Sequence, residues 1–219
     1  MTELFPPAAY EREDESDDRQ FYEVARKVVH IDDAAIAALG RLYGDVLPGG
    51  GRLLDLMSSW RSHLPPGLAA DVVGLGLNAE EMADNPQLAR YVVHDINRDP
   101  RLPFEDATFD GAMCAVSIQY VTQPVRLLRE VHRVLRPRAP FVVSFSNRCF
   151  PTKAVAVWLN TTDAHHVELV RAYFEAAGQW TNVVAEKRST DPDSDPLYVV
   201  WGRKKMGGPD PAPHAPQHS

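Results

Sequence analysis

Short apolar runs recur along the middle of the chain, separated by longer stretches of mixed polarity. Continuous runs of this length are typical of parallel strands that are covered on both faces. No link between the early runs is as short as a tight turn, so right-handed crossovers should join them. The five predicted parallel strands are residues 52–57, 71–77, 91–96, 109–118 and 141–146.

Helical periodicity fills several of the intervening stretches. A first helix is predicted over about 19–29, and a second begins at Asp32 or Asp33, since either side chain can cap the free N–H groups. Two further amphipathic helices are predicted over 125–135 and 163–177.

Two final strands, over 181–187 and 197–203, complete the pattern. Alternating strands and helices predict an α/β domain with three layers. We expect a mostly parallel seven-stranded sheet with an antiparallel hairpin at its edge.

The two ends of the chain differ in composition from the middle. Residues 1–17 hold much of the excess acid, and residues 206–219 are rich in proline. Both compositions are typical of disordered tails. One domain is therefore expected over 18–205, with N-terminal helices at 19–47 and a core at 52–205.

Charge and cysteine content exclude several classes of partner. The formal net charge of −7 argues against the basic surface that nucleic acids need. Cys114 and Cys149 are far apart, so neither a disulfide framework nor a zinc cluster is expected. His165 and His166 are adjacent on a predicted helix and point in different directions, so no metal site is predicted there.

Membrane association is also not expected. No apolar run reaches the roughly 18 residues that a membrane span needs. The first residues lack the basic and apolar regions of a secretory signal. These features predict a soluble, cytoplasmic protein whose oligomeric state the sequence leaves open.

Candidate chemistry lies at the end of the first predicted strand. In open α/β sheets, ligands bind at the carboxyl ends of the strands, where the strand order reverses. Asp55 ends this strand and is soon followed by Ser58 and Ser59. Small residues after an acid let a ligand approach the backbone, but the same residues equally suit a turn with an N-capping serine.

Several segments taken together carry a family resemblance. Residues 102–110 read Leu-Pro-Phe-Glu-Asp-Ala-Thr-Phe-Asp, and residues 130–137 read Glu-Val-His-Arg-Val-Leu-Arg-Pro. With segments 54–59, 73–82 and 94–96, they follow the order and spacing of the class I S-adenosylmethionine-dependent methyltransferases, which the chain resembles. The resemblance is closest to small-molecule members. It implies a Rossmann-like three-layer sandwich, S-adenosylmethionine as cofactor, and in-line transfer of its methyl group to a small acceptor.

The resemblance runs from about residue 52 to 147 and implies where the cofactor lies. The first loop would lie under its methionine part, and the segment after the second strand beside ribose and adenine. Asp95 would accept a hydrogen bond from the adenine amino group, and Ser117 would lie near the methionyl amine. The implied cofactor-binding residues are Asp55, Leu56, Met57, Ser58, Ser59, Leu77, Asn78, Asp95, Ile96 and Ser117.

The acceptor side of the site follows from the same resemblance. His30 and Tyr120 are candidates for a general base, which is needed only if the attacking atom of the acceptor carries a proton. For His30 a surface position, and for Cys149 a plain loop position, remain open. The candidates for acceptor binding are Tyr22, Gln119, Asn147 and Cys149.

Three features depart from the family's pattern, and one of them, the turn over residues 137–140 in place of the usual Pro-Gly-Gly, is structural. The other two affect the site. The first loop, usually rich in glycine, contains Met57, Ser58 and Ser59, and Gly76 stands where an acid usually binds the ribose hydroxyls. Asn78 or Glu81 could take over that role. The departures keep open a second class of function, a protein that binds the cofactor or a partner on the same fold without turnover.

The first crossover is unusual as well. Pro65 and Pro66 leave room for little more than one helical turn after the first strand. Trp60, Arg61 and His63 should therefore lie in a short irregular segment near the site, either lining it or filling surface and packing positions.

Overall fold

The computed structural model describes residues 3–189 and 193–206 and contains one seven-stranded sheet. Its strand order is β3-β2-β1-β4-β5-β7-β6. In chain order the strands are β1 Arg52–Leu56, β2 Asp71–Gly76, β3 Arg90–Val93, β4 Gly111–Ala115, β5 Pro140–Phe145, β6 Trp180–Lys187 and β7 Tyr198–Lys204.

The first five strands are parallel, and β7 and β6 form an antiparallel edge hairpin. β1 pairs in parallel with both β2 and β4, so the chain reverses its direction of travel through the sheet between them. β7 runs antiparallel to β5 and to β6. This arrangement confirms the fold class that the sequence predicted.

Helices cover both faces of the sheet. The α-helices are α1 Asp18–Phe21, α2 Asp33–Val46, α3 Ala79–Ala83, α4 Pro124–Val134, α5 Ala156–Leu159 and α6 Asp163–Ala177. Three short 3₁₀ turns are Pro7–Tyr10, Ile118–Tyr120 and Pro151–Lys153.

Helix α2 shows why its boundaries could be predicted. The Asp32 carboxylate accepts a hydrogen bond from the Ala35 backbone N–H at 2.8 Å and so caps the first turn. Leu39, Leu42 and Tyr43 then form its fully buried face. The helix packs against one side of the sheet in a cluster that includes Leu53, while α4 and α6 pack in the cluster on the other side.

The predicted helix over 19–29 is wrong beyond its first turn. Helix α1 ends at Phe21, and residues 22–30 follow as an irregular segment, which we call the strap. Several of its backbone groups bond to distant side chains: Asn78 donates to the Tyr22 carbonyl oxygen at 2.8 Å, and Glu81 accepts from the Arg26 N–H at 2.5 Å. Tertiary partners therefore override the local periodicity.

The expected disordered tail over 1–17 is also wrong for residues 3–17. Tyr10 is buried in the main core cluster, and the Ala156 N–H donates to the Glu11 carbonyl oxygen at 2.8 Å. Lys153, with 0% exposure, lies 3.1 Å from carboxylate oxygens of both Asp14 and Asp18. Because a buried ammonium group needs charged partners, these acids hold the segment on the domain.

The C-terminal prediction concerns 206–219. Met206 is exposed, and residues 207–219 lie outside the described residues, as do residues 1–2. Every helix formed by residues 3–189 and 193–206 falls short of the length or the hydropathy needed to cross a lipid bilayer.

Candidate functional site

A cavity of about 130 Å³ opens at the carboxyl ends of β1, β2, β3 and β4, beside the reversal in strand order. This is the place where ligands bind in open α/β sheets. The residues predicted from the sequence that line this cavity are Tyr22, His30, Asp55, Met57, Ser58, Ser59, Leu77, Asn78, Asp95, Ile96, Ser117 and Tyr120.

Four predicted site residues do not line the cavity. Leu56 is fully buried in the sheet, and Gln119 is also fully buried, with its side-chain amide donating to the Val116 carbonyl oxygen at 2.9 Å. Asn147 is exposed, and Cys149 is half-buried in the loop after β5. Gln119, Asn147 and Cys149, predicted to bind the acceptor, therefore lie outside the wall of this cavity.

The first loop, residues 57–63, is organised around Asp55. The hydroxyls of Ser58 and Ser62 each donate to one Asp55 carboxylate oxygen at 2.6 Å. Asp55 is only 3% exposed. Burial raises the pKa of this carboxyl to about 6, against the opposing effect of the two serine hydrogen bonds.

The same loop is fastened to β2 and α3. The Ser58 N–H donates to the Leu75 carbonyl oxygen at 2.8 Å. The Asn85 side-chain amide donates to the Ser59 carbonyl oxygen at 2.8 Å and to the Ser62 hydroxyl at 2.9 Å. No helix forms over residues 57–70, all of which are described, so the predicted irregular crossover is confirmed.

Both ends of this loop have left-handed backbone conformations. Met57 and His63 each have a φ of 57°, which is uncommon for residues other than glycine. His63 lines the cavity, and burial, with the nearby charges of Arg61 and His30, lowers its pKa to about 4. Trp60 and Arg61 also line the cavity, so the segment faces the site.

Gly76 closes the end of β2 against this loop. A Cβ atom at Gly76 would lie 2.3 Å from the Ser58 carbonyl oxygen and 3.2 Å from the Met82 sulfur. An acid at this position, as in the usual family pattern, therefore has no room in this structure.

Asp95 lies at the opposite side of the cavity, after β3. One of its carboxylate oxygens accepts the backbone N–H groups of Asn97 at 3.0 Å and Arg98 at 3.2 Å. The other oxygen accepts no hydrogen bond from the described residues. Ile96, next in the chain, is buried beside it.

Aromatic side chains form the wall near Tyr120. The Phe150 N–H donates to the Tyr120 hydroxyl at 2.8 Å, and the two rings stack with centroids 6.1 Å apart. The His30 ring meets the Phe150 ring edge-on at 5.1 Å. Burial raises the pKa of Tyr120 to about 12 and lowers that of His30, so near pH 7 the phenol keeps its proton and the imidazole is neutral.

Sequence reasoning missed several residues of the wall, among them Phe150, Arg12 and Asp18. Phe150 follows Cys149 in a loop without periodicity, and Arg12 and Asp18 belong to the segment whose acidity suggested a tail. The Arg12 guanidinium pairs with Asp18 at 2.8 Å. A basic residue flanked by acids was the signal that this segment contains an ion pair.

Comparison with known proteins points to one family. Residues 45–143 match the methyltransferase domain family. The sterol 4-C-methyltransferase strm-1 of Caenorhabditis elegans is 40% identical over 43 residues, which cover 20% of this chain and 13% of that protein. The methyltransferase phqN of Penicillium fellutanum is 34% identical over 80 residues, which cover 34% of this chain and 24% of that protein. The chain thus spans less than a quarter of the length of these curated relatives.

Solved structures share the fold at low sequence identity. The structure of the cyclase SpnF aligns with a TM-score of 0.57 at 17% identity. The alignment covers 77% of this chain and 81% of the SpnF chain. A possible histamine N-methyltransferase from Thermotoga maritima aligns with a TM-score of 0.54 at 18% identity, and the alignment covers 79% of this chain and 91% of that protein. An S-adenosylmethionine-dependent methyltransferase from Mesorhizobium loti aligns with a TM-score of 0.52 at 20% identity, and the alignment covers 79% of this chain and 99% of that protein. The matched domain and the strand order described above agree with the resemblance of this chain to the class I S-adenosylmethionine-dependent methyltransferases.

Proposed function

We propose that this domain transfers the methyl group of S-adenosylmethionine to a small-molecule acceptor. The observation that carries the proposal is the cavity at the reversal in strand order, which brings together Asp55, Asp95 and Tyr120 from the ends of three strands. The acceptor and its attacking atom are not assigned.

The adenine end of the cavity fits the cofactor. Asp95 has one oxygen already fixed by two backbone N–H groups, which orients the carboxylate and leaves the second oxygen for an adenine amino group. Ile96 and Leu77 offer apolar surface to the ring from the same side. We place the adenine against these three residues.

The cavity as a whole is smaller than sites for small molecules usually are. Small-molecule sites typically enclose about 300–1,000 Å³, whereas this cavity measures about 130 Å³. The strap forms part of its wall and exposes Val24, Val28 and Val29 to solvent. A segment with few buried apolar contacts opens at low cost, so we expect the strap to move when the cofactor binds.

The bound cofactor would supply an electrophilic methyl group, and the protein's own residues would align the acceptor and exclude water. Tyr120, Phe150 and the strap form the wall that performs this exclusion. His30 is neutral near pH 7 and can therefore accept a proton from an acceptor that carries one. Because the pKa of Tyr120 is raised to about 12, this residue is unsuited to the role of general base, but its hydroxyl can donate a hydrogen bond that orients the acceptor.

A second candidate function is binding without turnover. It is favoured by the first loop, whose Ser58 N–H and carbonyl oxygen are directed at β2 rather than at a ligand. Such a protein would bind S-adenosylmethionine or S-adenosylhomocysteine and pass no methyl group on.

Two measurements test the proposal. S-adenosylhomocysteine at about 100 times its Kd should stabilise the protein by about 2.7 kcal/mol, while NAD should not. A screen of small acceptors for formation of S-adenosylhomocysteine should then yield turnover. Stabilisation with no turnover on any acceptor would favour the binding protein, and an unchanged melting curve with millimolar ligand would contradict both functions.

A further inference from the structure

Glu81 is a buried carboxylate in the wall of the cavity whose position no family pattern explains. It lies on α3, is 7% exposed, and lines the cavity beside Asn78. One oxygen accepts the Ser59 hydroxyl at 2.6 Å, and the other accepts the Arg26 N–H at 2.5 Å. Both donors come from other segments, the first loop and the strap.

The end of β2 leaves the ribose without its usual acceptor. At Gly76, the Ser58 carbonyl oxygen occupies the space into which an acidic side chain would project. Helix α3 starts three residues later, at Ala79, and Met82, next to Glu81, packs at this glycine. Glu81 is thus the acid that the fold brings to the same edge of the site.

We propose that Glu81 binds the ribose hydroxyls of the cofactor, and that the Ser59 hydroxyl occupies the place of one of them in this structure. This inference rests on the proposed function. A hydroxyl that donates to a carboxylate at 2.6 Å has the chemistry of a ribose hydroxyl bound by an acid.

The fold lets Glu81 exchange its partners. Its backbone is fixed, because the Asn78 side chain caps α3 by accepting the Glu81 N–H at 2.9 Å. Its carboxylate accepts from a backbone N–H of the strap, the segment that must move to enlarge the cavity, and from a serine hydroxyl of the first loop. When the strap moves, the Arg26 N–H leaves one oxygen for a ribose hydroxyl, and a second ribose hydroxyl displaces the Ser59 hydroxyl from the other.

The test compares S-adenosylhomocysteine with its 2′-deoxy and 3′-deoxy analogues by calorimetric titration of the wild type, Glu81→Gln and Glu80→Gln. Glu80 is the adjacent, exposed acid and serves as the matched control. The wild type and Glu80→Gln should prefer the complete ribose by about tenfold or more, the size of a charge-assisted hydrogen bond. Glu81→Gln should bind S-adenosylhomocysteine about tenfold more weakly and discriminate the analogues less than about threefold.

Equal discrimination by Glu81→Gln and the wild type would overturn this inference and leave the proposed function intact. Absence of binding by the wild type would overturn both. Ser59→Ala supplies an independent test, because it removes a hydroxyl that competes with the ribose for Glu81 and leaves the Glu81 side chain itself unchanged. It should bind S-adenosylhomocysteine several-fold more tightly, and weaker binding would show that Ser59 does not occupy the place of a ribose hydroxyl.

Discussion

The two sides of the cavity differ in how completely the protein has used its own polar groups. On the β1 and β2 side, Asp55 and Glu81 are bonded to serine hydroxyls and to the strap. On the β3 and β4 side, Asp95 keeps one oxygen free of described donors. The β3 and β4 side, where we propose that adenine binds, is therefore preformed, whereas the β1 and β2 side is closed by the chain itself.

The preformed half depends on a cluster of buried charged residues around Asp18. Removal of the Asp18 carboxylate should have the largest effect on the stability of the protein. Asp18 accepts from Arg12, Asn97 and Lys153. Asp18→Ala should lower the free energy of unfolding by about 3 to 5 kcal/mol, because it leaves a buried lysine short of a partner. Urea denaturation measures this, and the exposed Glu13→Ala is the control that should change little.

The same cluster predicts that deletion of residues 1–16 destabilises the domain. The deletion removes Arg12 and Asp14 as well as buried Tyr10. A deletion variant with unchanged stability would show that the segment's contacts contribute nothing.

The closed half depends on the absence of a side chain at Gly76. Gly76→Ala should lower the free energy of unfolding by about 3 kcal/mol, since the new methyl group would lie against the Ser58 carbonyl oxygen. Gly49→Ala, whose Cβ would meet its nearest atom at 3.9 Å, is the matched control. Comparable stability of the two variants would mean that the first loop does not rest on β2.

Asp55 makes the closed half sensitive to pH. Its pKa is raised from 3.8 to about 6, so the folded state holds a proton that the unfolded state has lost between these values. The stability from this carboxyl is fully present below about pH 4 and is lost as the pH rises through 6. As the pH rises from 4 to 7, the free energy of unfolding of Asp55→Asn should therefore increase by about 2 to 3 kcal/mol relative to that of the wild type.

Denaturation of both proteins at several pH values measures this difference. Asn retains an acceptor for the serine hydroxyls, so the comparison isolates the charge. A difference in stability that does not change with pH would contradict the raised pKa.

Asp95 should have the smallest effect, confined to the ligand. Asp95→Asn keeps an oxygen for the Asn97 N–H but removes the charge that faces the adenine amino group. The affinity for S-adenosylhomocysteine should fall about tenfold, or about 1.4 kcal/mol, in calorimetric titration. Asp99→Asn, at an exposed position, is the control. If both variants bind with equal affinity, the adenine does not lie against Asp95.

Much of the fold could be predicted because local sequence decides it. The apolar runs became strands β1 to β5 within a few residues, and the cap of Asp32 set the start of α2. The cavity residues Asp55 and Asp95 were predictable too, since a strand end and a family spacing place them together.

The errors share a physical cause, which is that distant partners decided the local structure. The strap is irregular because Asn78 and Glu81 satisfy its backbone from 55 or 56 residues away. The acidic segment is ordered because Lys153 is buried against it. Gln119 faces inward because the chain turns at Val116, whose φ is 48°, before the predicted strand would have ended.

The left-handed residues at both ends of the first loop give the closed cavity a mechanical character. Met57 and His63 each hold a backbone conformation that costs about 1 to 2 kcal/mol for a residue with a side chain. The hydrogen bonds that join the loop to Asp55, Leu75 and Asn85 hold both residues in these unfavourable conformations. Any state in which the loop leaves β2 would free both residues from these conformations, so their conformational cost would offset part of the free energy needed to break those hydrogen bonds.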